Sequence, residues 1–167
     1  HGADALRFTL ASMATETQDI RMPVVKDAKT GVNTSPKFDL GRNFANKIWN
    51  VGRFVISAIS SQPSADKLSD YTLADSWIWV KLQQLVRDVE RLFQTFQYGQ
   101  AGQQIYDFLW NDFADWYVEI AKQELAEGGP RALRAADTLA RVFDISLRLL
   151  HPFTPFVTEE VWGHLRT

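Results

Sequence analysis

The stretch Leu133-Arg134-Ala135-Ala136-Asp137-Thr138-Leu139-Ala140-Arg141-Val142-Phe143-Asp144-Ile145-Ser146-Leu147-Arg148-Leu149-Leu150 decides the fold class. Leu133, Ala136, Ala140, Phe143, Leu147 and Leu150 alternate spacings of three and four, the seam of a helix packed in a bundle. Between them Arg134, Arg141 and Arg148 repeat every seven residues, with Asp137 and Asp144 placed for i,i+3 and i,i+4 ion pairs. Such a ladder neutralises itself and serves structure, at a few tenths of a kcal/mol per pair. Pro152 and Pro155 close the helix, and Thr158-Glu159-Glu160 reads as the first turn of a last one.

Working back from there, Gly128-Gly129-Pro130 stops a preceding helix marked by Ile105, Leu109, Phe113, Trp116 and Ile120. Gly99 and Gly102 suggest a break before it, and Ile78, Leu82, Leu85, Val89, Leu92 and Phe96 mark another helix. The first long helix carries Phe44, Ile48, Val51, Val55 and Ile59, and Ser60, Ser61, Gln62, Pro63 and Ser64 end it. Near the start, Ala5, Leu6, Leu10 and Met13 give a short helix one apolar face. Four long amphipathic helices with short connections predict an all-α antiparallel bundle. Leu82, Leu85, Phe113, Trp116, Phe143 and Leu147 are expected to share its core. The turn formers Asp27 to Pro36 divide the chain, with residues 1–37 before the bundle and 38–167 forming it. No initiator Met opens the sequence, and both ends run through helix-forming residues, as in a piece of a longer protein.

Composition narrows the function. The chain has 167 residues, 46% of them hydrophobic and 13% aromatic, which suits a packed core and excludes disorder. With no Cys, a disulfide framework, an iron–sulfur cluster and a cysteine nucleophile are excluded. His1, His151 and His164 are too scattered to suggest a metal site. No apolar run approaches the ~18–20 residues of a membrane span. A net charge of −2 argues against a broadly basic nucleic-acid coat.

That near-neutral total hides an uneven distribution. Between Leu40 and Ala65 stand Arg42, Lys47 and Arg53 and no acid, whereas Asp107, Asp112, Asp115, Glu119, Glu124 and Glu127 face only Lys122 from Tyr98 to Glu127. On the first long helix, Asn43, Lys47, Asn50 and Phe54 form a line beside the apolar face, with Asn46 and Arg53 next to it. Amides can read base edges, Lys and Arg meet phosphate, and an aromatic can stack on an unpaired base. The same line also reads as a solvated face with Phe54 tucked against a neighbour. Asp112, Asp115 and Glu119 fall on one face, where a carboxylate acid–base site is conceivable, but no phosphate-binding glycine loop or nucleophile–base pair accompanies them. Core aromatics beside a solvated acidic face are the better reading.

Four motifs in order carry a family resemblance: Gly2-Ala3-Asp4-Ala5-Leu6-Arg7-Phe8, Gly41-Arg42-Asn43-Phe44-Ala45-Asn46-Lys47-Ile48-Trp49-Asn50, Trp110-Asn111-Asp112-Phe113-Ala114-Asp115-Trp116-Tyr117, and Leu150-His151-Pro152-Phe153-Thr154-Pro155-Phe156-Val157-Thr158-Glu159-Glu160-Val161-Trp162. The chain resembles the class Ia aminoacyl-tRNA synthetases, and among them the valyl-tRNA synthetase family more than the isoleucyl or leucyl ones. The resemblance implies a helical anticodon-binding domain over residues 38–167, preceded over residues 1–37 by the tail of the linker that follows the catalytic domain. It implies a parent ligase that uses ATP with Mg, in the cytoplasm, with tRNA and the parent's own catalytic and editing domains as partners and no membrane. The adenylate and Lys-Met-Ser-Lys-Ser motifs are not among these residues, so no catalytic residue, metal or cofactor is expected in this chain. It also makes Arg42, Asn43, Asn46, Lys47, Asn50, Arg53 and Phe54 the expected tRNA-binding residues. Residues 24–38 take no role from the resemblance. A helical scaffold that docks other proteins is the alternative of a different class.

Overall fold

The computed structural model describes residues 2–14, 21–62 and 68–165. Helix α1 spans Ala3–Met13, and a two-residue strand pair follows, β1 (Val25–Lys26) antiparallel to β2 (Asn33–Thr34). Helices α2 (Phe38–Ser60), α3 (Leu73–Gln94) and α4 (Tyr98–Asp107) come next. A π-helical segment, Phe108–Tyr117, continues α4 directly into α5 (Val118–Glu127). Helices α6 (Gly129–Leu150) and α7 (Pro155–Leu165) complete the chain. The all-α bundle expected from periodicity is therefore the architecture found. The turn cluster at Asp27 is a tight hairpin turn, in which the Asp27 carboxylate accepts from the backbone N–H of Lys29 and Thr30. Those hydrogen bonds hold the Asp27 carboxyl below the usual carboxylate range. Of the residues expected to end α2, Pro63 and Ser64 lie outside the described residues.

One core joins the helices. Phe44, Ile48, Ile78, Leu82, Leu92, Ile105, Leu109, Phe113, Leu139 and Phe143 are all buried within it. On α6 the buried face is wider than the seam, adding Ala132, Ala135, Leu139 and Val142 while leaving Leu133 and Ala140 half-buried. A helix flanked by α2, α3, α5 and α7 needs more than one stripe to cover its neighbours. The Arg–Asp ladder forms as expected, with Arg141 Nε 2.8 Å from Asp137 and Arg148 Nη2 2.8 Å from Asp144.

Five expectations are corrected. Trp116 is 66% exposed and not in the core. The wider π-helical turn, closed by the Val118 N–H to the Phe113 carbonyl, advances each residue less around the axis than an α-helix does. Counting on from Phe113, that rotation carries Trp116 outward and brings Tyr117 into the core in its place. Phe96 is likewise exposed, because the chain leaves α3 at Gln94 and Phe96 adopts a left-handed φ of 59°. Gly99 and Gly102 do not break a helix, since they lie within α4. A Cβ on Gly99 would sit 2.2 Å from the Ala14 carbonyl oxygen, so this glycine permits a close approach of chain segments. On α1 the buried residues are Asp4, Ala5, Phe8 and Thr9, and Leu6 and Leu10 face outward. Phe8 instead joins an aromatic cluster with Phe44, 4.8 Å between ring centroids, and Tyr106. The last helix begins at Pro155, three residues before Thr158, with the proline in its first turn.

Two polar contacts fix the ends of the bundle. The Asp4 carboxylate accepts from the backbone N–H groups of Phe156 (3.3 Å) and Val157 (2.7 Å), capping α7 from a distant helix. At the opposite end Thr72 and Asp75 form a capping box on α3. Asp75 is buried and accepts the Tyr117 hydroxyl hydrogen bond as well. Burial, then the bond to Asp75 and its charge, push the Tyr117 phenol well above its ordinary 10.0.

Two outcomes follow from this packing. A Cβ on Gly41 would stand 2.3 Å from the Ala5 carbonyl oxygen and 2.7 Å from Thr9 Oγ1. Gly41→Ala should therefore force α1 from α2 and cost about 1–3 kcal/mol in urea unfolding. Tyr117 keeps its proton in the folded chain after the unfolded chain has begun to lose it near 10.0. Its contribution is thus full below pH ~10 and lost as pH rises through the folded value, by at most about 1.4 kcal/mol per unit. Tyr117→Phe should cost ~1–3 kcal/mol at neutral pH and flatten the loss above pH ~10, read by denaturant titration at both pH values.

Candidate nucleic-acid interface

The acid-free stretch from Leu40 falls on α2, which carries Asp39 only in its first turn and whose buried residues Phe44, Ile48, Gly52, Val55 and Ala58 face the bundle. That face leaves Asn43, Asn46, Asn50 and Arg53 exposed on the far side, one to two turns apart along the helix. Arg53 makes no ion pair or hydrogen bond among the described residues. Arg42 is exposed too, with its Nη2 3.1 Å from Asp39 one turn back. Five of the seven expected residues thus fall along one exposed side of α2, with Lys47 and Phe54 half-buried at its border.

The border is where the π-helical segment and α5 pack. Lys47 Nζ lies 2.6 Å from Asp115 Oδ1 and 4.6 Å from the centroid of Trp110. Lys122 Nζ lies 2.6 Å from Glu119 Oε1 and 5.5 Å from the Phe54 ring centroid, while Phe54 packs on the core. On the other flank Lys81 Nζ is 3.3 Å from Asp112 Oδ2 and 5.9 Å from Trp77. Each of the three acids that suggested an acid–base site is therefore bound to a different lysine, and each lysine rests over an aromatic ring. This face is close to charge-neutral, and exposed Trp116 stands in its middle. Exposed pairs of this kind are worth only about 0.2–1 kcal/mol each, so their main effect is to hold the lysines in place.

Sequence reasoning missed the other flank of α2. Trp49 is 40% exposed, one turn before Arg53 and two before Ser57. With Ser60, Val161 and His164 these residues line a groove of about 470 Å³ between α2 and α7. The signal available was Trp49 itself, a large aromatic on the polar side of the three–four period. Among the described residues no group of three or more His, Cys, Asp or Glu is placed to hold a metal ion. No helix among them is long and apolar enough to cross a membrane.

Comparison with known proteins places the chain in a family. Residues 75–167 match the family model described as the anticodon-binding domain of tRNA ligase. The chain belongs to that family. It is 44% identical over 166 residues to a valine--tRNA ligase of Latilactobacillus sakei, which covers 97% of the chain and 18% of the relative. Valine--tRNA ligases of Symbiobacterium thermophilum and Petrotoga mobilis are 40% and 37% identical, each over 99% of the chain. The chain spans less than a fifth of the length of these relatives, at 17–18%. Helix α2 precedes the matched family region, and the alignments to the ligases are what extend the likeness across it.

The correction at Trp116 is directly measurable. Trp116→Ser should change unfolding free energy by no more than about 0.5 kcal/mol, whereas Phe113→Ala should cost about 3–5 kcal/mol. A loss at Trp116 as large as at Phe113 would return it to the core.

Proposed function

We propose that this chain recognises the anticodon arm of tRNA as the anticodon-binding part of a valine–tRNA ligase. The observation that carries the reading is the outer face of α2, where amides and an unpaired guanidinium are exposed without a neighbouring acid between Leu40 and Ala65. Asn43, Asn46 and Asn50 offer donors and acceptors to the edges of unpaired bases, and Arg42 and Arg53 meet phosphates. Lys47, held by Asp115, adds a shared positive charge, and Phe54 presents the accessible part of its ring at the border. Family membership and the likeness to valine–tRNA ligases over 97% of this chain support tRNA as the partner and valine as the amino acid.

The ligation itself belongs to chain outside these residues. There the parent enzyme joins L-valine to tRNA with ATP and Mg, releasing AMP and pyrophosphate, in the cytoplasm. Residues 1–37 are read as the end of the linker after its catalytic domain and 38–167 as the anticodon-binding domain. Because α1 shares the core through Phe8, that linker end is packed on the bundle. The catalytic and editing domains are then partners within the same chain.

A titration decides the reading. The chain should bind a valine-anticodon stem-loop more tightly than one with a scrambled loop, and Asn50→Ala should reduce that preference. Lys47→Ala should weaken both ligands alike and lower the salt dependence by less than about one unit of slope. Equal binding of the two loops, or none, would favour a scaffold role for the exposed Leu73 and Trp116. Valine-dependent pyrophosphate exchange by the chain alone should be absent.

A further inference from the structure

We propose that the groove between α2 and α7 receives a single unpaired nucleotide of the bound RNA loop, an inference that rests on anticodon-arm recognition. Gly52 brings the two helices together, for a Cβ there would meet Val161 Cγ1 at 2.6 Å. Beside that contact the cleft holds about 470 Å³, within the ~300–1,000 Å³ of small-ligand sites. Ile56 and Val161 give it apolar walls, and Trp49 offers an accessible indole surface.

The polar groups are those a nucleotide needs. The Arg53 guanidinium stands at the groove with no acid partner among the described residues, ready for a phosphate or for stacking. Ser57 and Ser60 supply hydroxyls that both donate and accept, suited to a base edge or a ribose hydroxyl. The other titratable group is His164, whose Nε2 is 3.3 Å from Glu160 Oε1. An aromatic surface, an arginine and two hydroxyls in one cleft favour a base with its phosphate over an apolar protein segment. Arg53 also belongs to the exposed amide side of α2, so the cleft continues the proposed RNA surface. A base turned out of the loop can enter it while its neighbours remain on Asn46 and Asn50.

The test uses the 167-residue chain and valine-anticodon stem-loops in which each loop nucleotide in turn lacks its base. One abasic position should weaken binding about 5- to 100-fold, the range expected for one stacked base. Trp49→Ala should weaken the intact loop by a similar factor and should add nothing to the loss at that one position. Ser57→Phe, which fills the cleft from an exposed site, should have the same effect with an unchanged melting temperature. Arg53→Gln should lower the salt slope by about one unit at every loop sequence. Intact-loop affinity unchanged in both Trp49→Ala and Ser57→Phe would overturn the groove while leaving anticodon recognition standing. So would a Trp49→Ala loss additive with every abasic position. Failure of the unmodified chain to bind any stem-loop would overturn both readings.

Discussion

A π-helical run from Phe108 to Tyr117 sets the arrangement on which both the core and the surface of this bundle depend. Its wider turn puts Phe113 and Tyr117 inward together, with Tyr117 stacked 6.2 Å from Phe113, which in turn stacks on Phe143 of α6. The Tyr117 hydroxyl is thereby delivered to Asp75, a buried carboxylate that would otherwise lack a partner on that side. Leaving such a group unsatisfied is costly, so the π-helical geometry and the α3 capping box stabilise one another. The same rotation spreads Asp112 and Asp115 to opposite neighbours, Lys81 on α3 and Lys47 on α2.

That distribution shapes the surface proposed to meet RNA. Local charge along the chain describes a basic first long helix and an acidic third one, yet folding brings them together until most of the acids are answered. The cation of α2 left without an acid partner among the described residues, Arg53, lies on the side away from the π-helical segment, at the α2–α7 groove. In the proposed interface, phosphate attraction and base reading are thus separated in space. The amides sit along the middle of the exposed side, with paired lysines on one flank and the groove on the other.

The three–four apolar period made the helices, their order and most of the core legible, because burial of an amphipathic stripe leaves its mark in every turn. The Arg–Asp ladder of α6 was legible for the same reason, since its partners are three and four residues apart. The amide strip on α2 was also readable, as helical geometry alone places Asn43, Asn46 and Asn50 outward. Trp116, Phe96 and the face of α1 were not. In each case one departure from α-helical spacing, a π turn or a left-handed residue, or a close helix contact moved the side chain. The backbone makes those departures only when the rest of the core rewards them.

By itself, then, the sequence determined an all-α bundle, four family motifs in order and an acid-free stretch from Leu40 to Ala65 carrying three asparagines. Tertiary structure alone decided which charges remain available. Lys47 and Asp115 are 68 residues apart in the chain and 2.6 Å apart in space, a pairing no local pattern encodes. It alone also made the α2–α7 groove, because a cleft needs two surfaces and Trp49 and His164 become neighbours only after α7 closes on Gly52. Side-chain periodicity is a property of one helix, whereas ion pairing and concavity are properties of two.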